Sequence, residues 1–173
     1  ARAVPVAEAA DMLVAGVAGP PGRPPQVEAP VTFEVPLLVA GGARDPLIVA
    51  ELITRWVHDS LRKQVTVSVP SAVQVLAARA GDCNEHTQLF LALARAARIP
   101  ARGAAGLALV QGKFYYQAWP EVWLGTWIPV DPTFGQFPAD ASHLRFVIGG
   151  MARQADMLRL MGQIRIDVLS AGR

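Results

Sequence analysis

The chain has a single cysteine among its 173 residues, and that scarcity excludes two chemistries at once. One thiol forms no internal disulfide and supplies no cysteine-rich metal site. Lysine is almost as rare, occurring only at Lys63 and Lys113. The 16 basic and 14 acidic residues leave a net charge of +2, with arginines scattered along the chain. No basic run or basic–aromatic stripe is present, which argues against a nucleic-acid partner. Uninterrupted apolar runs are short as well. AADMLVAGVAG and VTFEVPLLVA carry Asp11 and Glu34, and neither approaches the roughly 18 residues of a membrane-spanning helix. What the chain has in plenty is apolar side chain, at 52% of residues against 17% charged, enough for one domain with a substantial core.

The chain begins at Ala1 rather than methionine, and we read it as a piece of a larger protein. Residues 1–27 combine a short helical pattern, VAEAADMLVAGV, with a Pro/Gly-rich connector, GPPGRPPQ. Residues 31–40 alternate as a strand would, with Pro36 marking an edge or bend. Asp45-Pro46 predicts a helix start, and apolar residues from Leu47 to Leu61 keep the helical period to about Arg62. Val65–Val69 reads as extended, and Ser71 caps a second helix over 71–79. A third helix spans about 83–97. Ala104–Val110, Phe114–Trp123 and Thr126–Val130 predict three strands with turns at Gly112 and Gly125. Met151–Met161 reads as a helix and Gln163–Leu169 as a last strand. Helices first and antiparallel hairpins later indicate an α+β fold, without internal repeats.

The cysteine sits in GDCNEHTQLF, residues 81–90. Asp82 and Glu85 form the Asp-x-x-Glu version of a capping box, which puts Asp82 at the N-cap and Cys83 in the first turn. The downstream residues Leu89, Phe90, Leu93, Ala94 and Ala97 give a wide apolar surface, so this helix is expected to be central. Its first turn offers unpaired N–H groups and the positive end of the helix dipole. That setting favours a thiolate of lowered pKa, and the same N–H groups can hold an oxyanion. His86 is a poor base for the thiol, because it sits on the same turn and nothing nearby orients its second nitrogen. It reads as a structural or helix-surface residue. His58 and His143 stand in no motif.

Four blocks carry a resemblance: SVPSAVQVL, GDCNEHTQLFLALARAARIPARG, FYYQAWPEVWL and TWIPVDPTFGQFPADASHL. In this order and spacing, from Val67 to about Leu144, they resemble the transglutaminase-like superfamily, whose fold is related to papain-type cysteine proteases. The resemblance implies a domain over 28–173, preceded by the segment 1–27. In it, a central helix bearing Cys83 packs on an antiparallel sheet. It further implies a cysteine nucleophile at Cys83, an orienting carboxylate at Asp131 and a thioacyl intermediate formed from an amide or ester. The base position, the first residue of the usual H-A-W-x-E-V, is occupied by Gln117.

A glutamine amide exchanges hydrogen bonds but has no proton affinity near neutral pH. It neither takes a thiol proton nor returns one to a leaving amine. Removing one member of such a triad in hydrolases costs roughly 10⁴ to 10⁶ in rate. The expectation is therefore a cysteine acyl-transfer domain (peptidase, amidase or transamidase) with strongly impaired catalysis. The alternatives are a binding module that uses the same cleft, and an interaction domain within a larger protein. Trp119, two residues beyond Gln117 on the same strand face, is expected to line the cleft and touch substrate, whereas Tyr116 points to the other face and into the core. No metal or cofactor is expected, because no acidic cluster has a calcium-loop spacing. The resemblance also implies a peptide or protein as substrate or ligand. It implies a bacterial origin and a periplasmic or extracytoplasmic place, within an exported or membrane-associated protein.

Overall fold

The computed structural model describes residues 39–66 and 71–149. The helical pattern and connector within 1–27, the helix expected over 151–161 and the strand expected over 163–169 lie outside the described residues, as does most of the extended piece at 65–69. Of the strand expected over 31–40, the described end, Val39 and Ala40, is helical.

Helix α1 spans Pro46–Ser60. Asp45 caps it, its Oδ1 accepting the Leu47 N–H at 2.9 Å, and Pro46 fits the first turn, where a missing N–H is harmless. Strand β1, Arg62–Lys63, follows. Helix α2, Ala72–Ala78, starts on a Ser71–Gln74 capping box and ends at Arg79 in the left-handed region, φ 51°. Strand β2, Ala80–Gly81, then pairs parallel to β1 through Arg62↔Ala80 and Lys63↔Gly81. This short ladder fixes the backbone just ahead of helix α3, Cys83–Ala96.

The remaining strands are β3 Ala101–Val110, β4 Lys113–Trp123, β5 Trp127–Pro129 and β6 His143–Ile148. They form one antiparallel sheet in the order β5-β4-β3-β6. Gln111 and Gly112 join β3 to β4 with φ 50° and 77°, the two positive values a tight hairpin turn demands. Gly125 turns β4 into β5 at φ 87°. Strand β6 was not expected from the sequence. It pairs with β3 through a register shift between Ala105 and Gly106.

Ile53 and Val57 of α1, Phe90, Leu93 and Ala94 of α3, and Val122 and Val130 of the sheet share one buried cluster. Helix α3 is thus central, as its apolar face predicts, and among the described residues the fold is α+β with the cysteine helix on an antiparallel sheet.

Candidate active site

The N-terminus of α3 is built by side chains that are themselves held. Asp82 Oδ1 accepts the Asn84 N–H at 2.9 Å, and Glu85 reaches back to accept the Asp82 N–H at 2.8 Å. Thr66 donates its hydroxyl to the other Glu85 oxygen at 2.6 Å. Burial, and then the neighbouring Glu85, push the Asp82 carboxyl up to about 6. Burial works the same way on Glu85, but its hydrogen bonds with Asp82 and Thr66 hold that carboxyl below its ordinary value. Gly81 is required by this arrangement, since a Cβ there would run into the Glu85 side chain.

His86 lies wholly inside, which rules out the helix-surface reading and leaves the structural one. Its Nδ1 lies 2.6 Å from the Asp82 carbonyl. Burial depresses its pKa, so the ring is neutral and Nδ1 carries the donated proton.

Backbone direction explains where the sulfur sits. Val130 donates its N–H to the Pro120 carbonyl at 3.0 Å, so even-numbered residues of β4 aim their polar groups toward the β5 side. The β4–β5 ladder covers only Glu121–Trp123, and beyond Val130 the chain turns off between Asp131 and Gln136. Ala118 therefore has a backbone N–H at an open strand edge, and that N–H acts on the Cys83 sulfur. Cys83 thus lies against the edge of β4 at Ala118, the residue that follows Gln117. Cys83 is 8% exposed, and burial, with the Asp82 and Asp131 charges, pushes its thiol pKa up to about 12. The Ala118 N–H and the cysteine's own N–H pull the other way and do not prevail. The lowered pKa expected from the helix start is thus reversed: desolvation outweighs the N-terminal donors.

Asp131 is fully buried and accepts four hydrogen bonds. Oδ1 takes the Thr133 N–H at 2.7 Å and the Phe134 N–H at 3.0 Å. Oδ2 takes the Gln117 Nε2 amide at 2.7 Å and His143 Nε2 at 2.9 Å. His58 steadies the following turn, with Nδ1 3.1 Å from the Pro132 carbonyl and 3.2 Å from that of Thr133. Gly135 is needed there, because its φ is 69° and a Cβ would come within 3.1 Å of the His58 ring. Neither His58 nor His143 stands in a sequence motif, yet both reach the Asp131 region. The available signal for His143 was its position at the end of the last resembling block.

Trp119 is 1% exposed and packs in a T-shaped contact with His143, ring centroids 5.0 Å apart. Its close neighbour Gly106 has no room for a side chain between this ring and the Leu144 carbonyl. Tyr116 departs from the expected core position. It is half-buried, and its hydroxyl donates to Asn84 Oδ1 at 3.3 Å in the first turn of α3. Helix α3 lies across this end of β4, so the face opposite Gln117 meets the helix start instead of the interior. Among the described residues, no group of three or more histidine, cysteine, aspartate or glutamate side chains is placed to hold a metal ion.

Comparison with known proteins decides the family. The profile of the transglutaminase-like superfamily matches residues 38–132, more than half of the chain. This chain belongs to the transglutaminase-like superfamily. The matched span of this transglutaminase-like domain includes Cys83, Gln117 and Asp131 and ends before His143. A similar solved structure is that of a candidate cysteine protease from Cytophaga hutchinsonii, at 25% identity and a TM-score of 0.57, covering 67% of this chain and 40% of that one. The periplasmic domain of TgpA from Pseudomonas aeruginosa is also similar. With ethylmercury bound it is 23% identical with a TM-score of 0.46, covering 60% of this chain and 44% of that one. A second structure of that domain is 19% identical with a TM-score of 0.48, covering 75% and 48%. The chain thus spans less than half the length of each of these structures. No curated protein matches the sequence.

Proposed function

We propose that this transglutaminase-like domain is a cysteine acyl-transfer module whose turnover is strongly impaired. In this reading Cys83 holds the nucleophile position, Asp131 the orienting carboxylate and Gln117 the base position. The reaction class is hydrolysis or transamidation of a peptide or amide. The sulfur bonds to the acyl carbon, the thiol proton passes to a base, and the departing amine receives it.

The observation that carries the reading is the 2.7 Å bond from Gln117 Nε2 to Asp131 Oδ2. Only the amide nitrogen can face a carboxylate, so the atom Gln117 has left is a carbonyl oxygen with no proton affinity near neutral pH. The Gln117→His variant tests this. An imidazole there should make Cys83 alkylation rapid near neutral pH and bring cleavage of model amides or esters, a gain of about 10² or more. No gain in either measurement rejects the acyl-transfer reading.

A second reading, a peptide- or protein-binding module that uses the same cleft without turnover, is favoured by the thiol itself. Cys83, 8% exposed and with its thiol pKa pushed up to about 12, is a buried hydrophobe at neutral pH. The family relationship also motivates an extracytoplasmic place within a larger bacterial protein. Among the described residues no helix is long and apolar enough to cross a membrane.

A further inference from the structure

His143 is the first residue of β6, and its side chain is 3% exposed. Nε2 lies 2.9 Å from Asp131 Oδ2. On the other side of the ring, Nδ1 is 3.3 Å from the Asp140 carbonyl and 3.4 Å from Asp140 Oδ1. It is also 3.4 Å from Ser142 Oγ, whose own proton goes to Asp140 Oδ1 and leaves a lone pair for the ring. Both ring nitrogens therefore face acceptors. Only an imidazolium donates from both. The Trp119 and Phe134 rings, with centroids 5.0 and 6.0 Å from that of His143, pack against the imidazole and restrict its rotation.

We infer that His143 is a positioning residue of this site: as an imidazolium bridging Asp131 and Asp140 it fixes the buried carboxylate and offsets its charge at the Cys83 sulfur. The inference rests on the proposed reading only in taking Cys83 and Asp131 as one site. It does not require turnover, and His143 does not serve as the base, because neither nitrogen is left to accept a proton from the thiol.

The electrostatics agree in sign. Burial opposes a charged ring, but the Asp131 bond and the Asp131 and Asp140 charges hold the His143 pKa above its ordinary value. The Asp131 charge is among the causes that raise the Cys83 pKa, so a cation on Asp131 eases thiolate formation. The groups around His143 are few. Asp131 and Asp140 come from the segment between β5 and β6, β4 contributes the uncharged Trp119, and Arg145 on β6 is committed to Glu121 at 2.5 Å. Around the sulfur stand Asp82, Asp131 and Tyr116.

Alkylation of Cys83 by iodoacetamide across pH tests this in the full chain, where a single cysteine makes the signal unambiguous. The native protein should react about tenfold faster than His143→Gln below the imidazole pKa, the equivalent of one pKa unit at the thiol. Above that pH, where the ring is neutral, the two curves should converge. Curves that coincide throughout, or run parallel at every pH, overturn the inference, since a purely structural loss is not gated by ring protonation. The second variant, Asp140→Asn, changes an exposed side chain. NMR titration of the His143 ring should show a lower pKa in it than in the native chain, and an unchanged value also overturns the inference. Failure here leaves the Gln117→His outcome untouched, and failure there leaves this one standing.

Discussion

Gln117 and His143 place their donors on the same oxygen of Asp131, at 2.7 and 2.9 Å. The two residues come from strands on opposite sides of β3, with Gln117 opposite Gly106 and His143 opposite Ala108. A buried carboxylate is tolerated because each of its oxygens is doubly satisfied.

The consequence for stability is direct. Asp131→Ala leaves the Gln117 amide, the His143 ring and the Thr133 and Phe134 N–H groups without their acceptor. Breaking a buried charged network by removing one partner costs about 3–5 kcal/mol. We expect a loss of that size in urea denaturation, and a smaller one for Asp131→Asn, which keeps one acceptor oxygen.

Gly81 gives a second stability prediction, local to the helix start. In Gly81→Ala the added methyl displaces Glu85 and breaks its bond to the Asp82 N–H. Loss of a cap costs about 1 kcal/mol, up to 2. Thermal unfolding of Gly81→Ala should show that decrease, whereas Gly112→Asn, at an open turn of positive φ, should cost less.

The buried imidazoles give opposite pH dependences. Burial depresses the His86 pKa, so its contribution is present above 6.5 and is lost as pH falls from there toward the folded value. For His143 burial is outweighed by the Asp131 bond, and the folded pKa is raised. Its contribution is full below 6.5 and is lost as pH rises through the folded value. Urea midpoints measured across pH should flatten on the acid side in His86→Gln and on the alkaline side in His143→Gln.

These effects also mark what the sequence made legible. The caps at Asp45, Ser71 and Asp82 were readable because a cap is a local event, completed within three residues of its side chain. Strands β3 to β5 and their glycine turns were readable from alternation and turn chemistry. The family, and with it the approach of Gln117 to Asp131, was readable only through motif resemblance. Strand β6 was not, since its six residues lack a clean apolar alternation and owe their place to pairing with β3. The role of His143 followed it out of sight. The thiol's raised pKa was hidden for the same reason: a capping box reveals the helix start but not which neighbours cover it. Val39 and Ala40 had strand-like neighbours in sequence, yet both are helical and Ala40 packs in the core cluster.

In the proposed reading the base position, residue 117, lacks a proton acceptor, and the rate of Cys83 alkylation as a function of pH reports on that lack. The native chain should react slowly at pH 7 and accelerate only toward the thiol pKa near 12, while Gln117→His should gain a reactive thiolate around neutrality. A native thiol that already reacts rapidly at pH 7, or a histidine variant indistinguishable from the native chain, rules out Gln117 as the cause of the slow thiol.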